Sequence, residues 1–186
     1  MTNSCNPTPK TFSPDDRKME ELIVLLAEKS EADPNFGATK LNKLLFFIDF
    51  LAYAKLGKPV TGHQYFKLDW GPAPRKLLPI RTDMERRGRC AIQKTEHHGY
   101  PQTRLIALSS ADASVFSGEE VVLIDRIVKQ LWKRTGRNVS DLSHLLPAWK
   151  AFAMKEDIPY EAVFVQTRNP TDEEAAYARE LMKHHA

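Results

Sequence analysis

Cysteine is nearly absent from this chain: Cys5 and Cys90 are the only two in 186 residues, and neither belongs to a CxxC pair. That excludes a disulfide framework and a cysteine-rich zinc site, and a reduced, cytoplasmic setting is the economical expectation. Glycine is scarce as well. With 8 glycines there is no Walker loop and no GxGxxG after a strand, so a phosphate cradle has little to be built from. Charge of one sign is missing too, since 27 basic residues face 24 acidic ones for a net +3. A nucleic-acid role would therefore have to rest on local clustering. Long hydrophobic runs are absent. The longest, around Leu44 to Leu51, is interrupted by Asp49 and is too short to span a bilayer. The opening MTNSCNPTPKTF has no apolar signal core, so export is not expected. HExxH and GxSxG are missing as well. The expectation is a non-enzymatic protein, with no cofactor, no metal and no membrane segment.

What is present suits one soluble domain: 42% apolar and 27% charged residues. Residues 1–12 read as a disordered lead-in and residues 13–186 as a single domain. Ser13-Pro14-Asp15-Asp16 opens a first helix whose stripe is Met19, Leu22, Ile23 and Leu26. A second helix runs from about Thr39 to Leu56, with Gly57 as its stop. His63 to Leu68 reads as a strand. Trp70-Gly71-Pro72 then turns into a third helix ending near Gly88, with Pro72 at its first position. Cys90–Lys94 and Arg104–Leu108 suggest two hairpin strands joined by a polar loop. Ser117 to Glu120 is a capping box for a fourth helix, along Val121, Ile124, Val128, Leu131 and Trp132, with Gly136 as its stop. A helix from about Ser140 meets Pro147 and continues through Trp149. Ile158 to Val165 reads as extended, and Thr171 to Glu174 opens a terminal helix. The expected class is mainly α (α+β), with a small antiparallel β element.

Two features invite partners. The second helix has two apolar faces, a leucine stripe and an aromatic stripe of Phe46, Phe50 and Tyr53. A helix apolar nearly all round is either central to the fold or covered by a partner, and for the aromatic face both readings stand. Trp70 is a further interface candidate, against its plainer role in a strand-to-helix turn. The other feature is basic. Arg81, Arg86, Arg87 and Arg89 are followed by Lys94 in the hairpin, the outline of a winged helix that would place a helix in a groove and a wing on phosphates. The near-balanced overall charge favours a solvated helix face instead. His97-His98 and His184-His185 are adjacent pairs, not ligands one helical turn apart. His144 sits in an apolar setting as a structural residue.

The stretches KLNKLLFF, GKPVTGHQYFKLDWGP, LSHLLPAW and IPY, in that order between Lys40 and Tyr160, resemble the Panacea domain of SocA-like antitoxins. The matching positions are Lys40, Leu41, Lys43, Leu44, Trp70, Gly71, Pro72, Ser143, His144, Trp149, Ile158 and Pro159. Trp70 stands where the family more often has tyrosine, and Leu145-Leu146-Pro147 follows His144 where acidic residues are usual. The resemblance implies an antitoxin that neutralises a cognate protein toxin, typically encoded next door, by direct contact. Under it the motif positions are fold-defining rather than catalytic. Two alternatives stand beside it: a winged-helix-like nucleic-acid-binding regulator, and an adaptor that delivers a bound protein to a protease.

Overall fold

A computed structural model describes residues 11–97 and 99–165. The chain is mainly helical with a few short strands, and α2 (Ala38–Leu56) is its centre. Both apolar faces of α2 are buried, from Leu41, Leu44 and Leu45 on one side to Phe46 and Phe50 on the other. Packed around it are α1 (Asp16–Lys29), α4 (Gly118–Leu131), α5 (Gly136–Leu145) and a 3-10 turn at Tyr160–Phe164. Gly57 ends α2 at φ 75°, the left-handed conformation that a helix stop of this kind requires.

Caps set the helix starts, with some shifts from expectation. Asp15, not Ser13, caps α1, its carboxylate accepting from Lys18 N at 2.9 Å. The capping box at Ser117 and Glu120 opens α4 as expected, and its buried stripe includes Leu123 and Ile127. Gly136 does not end that helix; it begins α5, capped by Thr135. Leu146 then separates α5 from the short α6 (Pro147–Lys150), with Pro147 at the first position where its missing N–H costs nothing.

The strands depart further from the expectation. The extended segment shortens to β1 (Tyr65–Phe66), which pairs antiparallel with both β2 (Ala73–Pro74) and β5 (Asp157–Ile158). Pro72 therefore leads into a strand, and the third helix, α3 (Leu77–Arg86), begins only after Lys76. Beyond β5 the chain turns into the 3-10 piece instead of staying extended. The hairpin strands are longer than expected: β3 (Cys90–His97) pairs with β4 (Tyr100–Ala107) along the whole length. Residues 95–97 and 100–103, expected as loop, are thus strand, with Pro101 in β4. Helix α3 followed by this hairpin keeps the outline of a wing.

Residues 1–10 and the terminal helix expected from Thr171 lie outside the described residues, as do Cys5, His98 and His184-His185. Phe12, assigned to the lead-in, packs edge-on against Tyr53 and Tyr160 at 5.6 and 5.7 Å between ring centroids.

Candidate functional site

Three stretches far apart in sequence meet around one buried lysine. Lys43, on α2, is sealed from solvent and its ammonium donates to the Pro72 carbonyl at 2.9 Å. Burial pushes that ammonium down to about 7. Gly71 lies directly over it at φ +89°, where a Cβ would collide with Ser143 Oγ and Lys43 Cε. Ser143, on α5, donates to Ser140 O at 2.6 Å, and Ser140 Oγ donates to Trp70 O at 2.7 Å. The turn is held from both sides, so the Trp70 side chain stands out on a rigid base and is 67% exposed.

Beside the turn, Trp149 and His144 stack with ring centroids 4.0 Å apart. Lys67 sits over the Trp149 ring at 4.0 Å and donates to Phe152 O at 2.7 Å. Burial, with Lys43 adding to it, holds the His144 imidazole below its usual range. A lysine lowered in this way could serve as a nucleophile if exposed, but Lys43 is covered by the Gly71-Pro72 turn and cannot reach a substrate. Lys40 is likewise interior. It pairs with Asp33 at 2.5 Å and donates to Arg134 O at 2.9 Å, joining the loop after α1 to the loop after α4.

The aromatic stripe of α2 resolves into two parts. Tyr53 belongs to the core, against Tyr160 and Phe12, and its hydroxyl donates to Glu161. Phe46 and Phe50 are also buried, and they form the floor of an apolar groove of about 340 Å³. The partly exposed Phe47 and Leu51 extend that floor. Helix α4 supplies one wall through Ile127 and Leu131. Leu142, Leu146 and Pro147 supply another, and Ala162 and Val163 close an end. Gln130 is the polar residue of the lining. Of the residues singled out in the sequence as interface candidates, Phe46 and Phe50 lie on this floor. Leu51 falls in the leucine stripe, and Phe47, Leu142 and Leu146 are not among those candidates. Leu142 lies on α5 and Leu146 caps its end; both fall in the LSHLLPAW stretch that also carries Ser143 and His144, which is the mark they leave in the sequence.

Asp49 anchors the opposite side of α2. Its carboxylate accepts from Thr61 N at 2.7 Å, Thr61 Oγ1 at 2.5 Å and Tyr65 Oη at 2.7 Å. Burial nevertheless pushes the acid up to about 6, the hydrogen bonds offsetting only part of the desolvation.

The basic residues expected to meet nucleic acid are largely engaged within the chain. Arg86 and Arg87 pair with Asp83, Arg87 also with Glu20, and Arg89 with Glu21. Arg81 has its Nε buried without a hydrogen-bond partner, and Lys94 is exposed on β3. Three of the five basic residues are thus locally neutralised by carboxylates. Among the described residues no three His, Cys, Asp or Glu side chains gather as a metal site would need, and no helix is long and apolar enough to cross a membrane.

No curated protein and no solved structure matches this chain. The model of one family does, over residues 41–150, a stretch holding the buried lysine, the Trp70 turn and most of the groove: the chain belongs to the antitoxin SocA-like, Panacea domain family.

Proposed function

We propose that this protein is an antitoxin of a bacterial or phage toxin–antitoxin pair, and that it neutralises a cognate toxin by binding it, without catalysis. The observation that carries the reading is the groove of about 340 Å³ over Phe46, Phe47 and Phe50, most of it inside the region that matches an antitoxin family. Apolar residues flanking a cleft are what an amphipathic helix of a partner would cover. Trp70, exposed on a turn that cannot readily rearrange, provides a rigid aromatic anchor of the type common among binding hot spots. The buried lysine beneath it acts as scaffolding for that anchor. Delivery of the bound toxin to a protease is compatible with the same contact surface. A nucleic-acid role is not favoured, because Arg86, Arg87 and Arg89 are committed to Asp83, Glu20 and Glu21.

The test is co-expression with the product of the neighbouring reading frame in a bacterial host. Growth arrest relieved by this protein, with a complex that co-purifies, is the expected result. Leu146→Glu and Phe47→Glu, at partly exposed groove positions, should keep the helical circular dichroism and weaken the complex at least tenfold. Phe50→Asp is the wrong probe, since that ring is buried and its replacement unfolds the domain. A toxic neighbour that neither binds nor is relieved would end the proposal.

A further inference from the structure

The β3–β4 hairpin is a sheet of two strands, so each strand keeps one edge that no other described strand pairs. Its register fixes which backbone groups face the open side of β4. Leu108 N donates to Arg89 O at 3.0 Å, which makes those two a hydrogen-bonded pair. Bonded and non-bonded pairs alternate along an antiparallel ladder, so Ile106/Ala91 and Arg104/Gln93 are bonded as well. Thr103, Leu105 and Ala107 therefore direct their N–H and C=O groups away from β3.

A cleft of about 440 Å³ follows this open edge. Every residue from Arg104 to Ser110 lines it. A run of consecutive residues, rather than alternate ones, means that the strand presents its edge to the cleft and not one face. The facing wall comes from Ala27 and Glu28 of α1 and from Glu31 just beyond it. The volume falls within the roughly 300–1,000 Å³ of ligand sites.

Exposed edges are usually blunted by charge, proline or a cover. Pro101 blunts the far end of this one, but from Leu105 to Ala107 it has neither a charged residue nor a proline. Arg104 also lines the cleft and keeps its charge, but its guanidinium is held against the Ser30, Glu31 and Asp33 carbonyls in the loop after α1 and not over the open backbone. The exposed Glu28 and Glu31 give the cleft an acidic wall.

We propose that the β4 edge accepts an extended, basic segment of another protein as a third strand. The incoming backbone would pair with Leu105 and Ala107, while its Lys or Arg side chains reach Glu28 and Glu31. Main-chain bonds then supply affinity and the two carboxylates supply selectivity. The site shares no lining residue with the apolar groove, so it stands or falls independently of the toxin-binding reading.

The probe is a fluorescein-labelled Arg-Val-Arg-Val-Arg-Val peptide, titrated against the full chain by fluorescence anisotropy. Hydrogen exchange should report new protection at the Leu105 and Ala107 amides. Methylating every backbone nitrogen of the peptide, which leaves its charge and the protein untouched, should weaken binding at least tenfold. Glu28→Lys with Glu31→Lys should do the same. Ala107→Pro should also weaken it, removing an N–H that faces the open edge and not the ladder. Absence of binding overturns the proposal. So does equal binding of the methylated peptide, which would mean charge attraction alone. Amide protection that rises with protein concentration in the absence of peptide would give the edge to a second copy of this chain, and overturns it too.

Discussion

Burying an ammonium beneath a Gly-Pro turn, with the Pro72 carbonyl as its acceptor, costs stability, and the cost depends on pH in a definite direction. Lys43 titrates near 7 in the folded chain and near 10.5 when unfolded. Between those values the unfolded chain holds the extra proton, so stability rises as pH rises through that window. Below pH 7 both states are protonated and the contribution is flat. From pH 7 to 9.5 the wild-type protein should gain about 3 kcal/mol from this group, at 1.36 kcal/mol for each pH unit. Lys43→Met should lack that component of the slope. Urea denaturation of both proteins at the two pH values checks it. Equal slopes would mean that the lysine keeps its charge on folding. Asp49 works in the opposite sense. Its acid is raised from 3.8 to about 6, so its contribution falls as pH rises through that range and is flat beyond it. The two windows do not overlap. Burial also lowers the Lys40 ammonium and raises the Cys90 thiol, and both act above pH 7, so the Lys43 component is read as the difference between wild type and Lys43→Met.

At the scale of elements, legibility tracked how local the deciding interactions are. The start of α4 was readable because Ser117 and Glu120 cap each other within one turn, and the end of α2 because Gly57 adopts a conformation suited to glycine. The third helix was placed too early because Pro72 suits a helix start equally well. What claims the segment is β1, which draws Ala73 and Pro74 into a sheet. That pairing is long-range and leaves no local mark. The hairpin was drawn too short for a related reason: Pro101 signals a loop, yet proline is tolerated where its missing N–H faces the open edge of β4. The Trp70 turn is the element on which the KLNKLLFF and LSHLLPAW stretches converge, through Lys43 and Ser143. Gly71→Ala should therefore be far worse than a surface substitution. Its φ of +89° disfavours any Cβ, and that Cβ would meet Ser143 and Lys43. A loss of about 3 kcal/mol or more, read from the shift in urea midpoint, is expected. A loss under 1 kcal/mol would show that Lys43 and Ser143 move aside freely.

For the whole molecule, the sequence made the family motif visible but not its geometry. Lys40 and Lys43 sit three apart on α2, and a solvated face would be the ordinary reading of such lysines. Both are instead interior, and each ties α2 to chain that is distant in sequence. Lys43 holds the turn at Pro72. Lys40 holds Asp33 and the Arg134 carbonyl, while Asp33 also accepts from Asn35 N at 3.0 Å and Lys133 N at 3.3 Å. That carboxylate therefore joins the α1–α2 loop, the α2 helix and the α4–α5 loop at one point. Removing only the lysine leaves Asp33 buried with its charge unmatched, and Lys40→Met should cost about 3–5 kcal/mol. Removing both charges, as in Lys40→Met with Asp33→Asn, leaves an amide that still accepts hydrogen bonds from neighbouring backbone. The double variant should then be more stable than Lys40→Met alone, a strongly non-additive cycle in urea denaturation. Additive losses would show that the pair is not coupled, and that packing around the lysine stem, not its charge, joins these segments. If coupling is found, its site matters. The loop after α4 leads directly into α5, the helix that supports both Trp70 and one wall of the groove. If the chain binds a toxin as proposed, Lys40→Met should therefore weaken that complex as well, with no contact to the toxin required, and co-purification at a temperature where the variant remains folded tests that consequence.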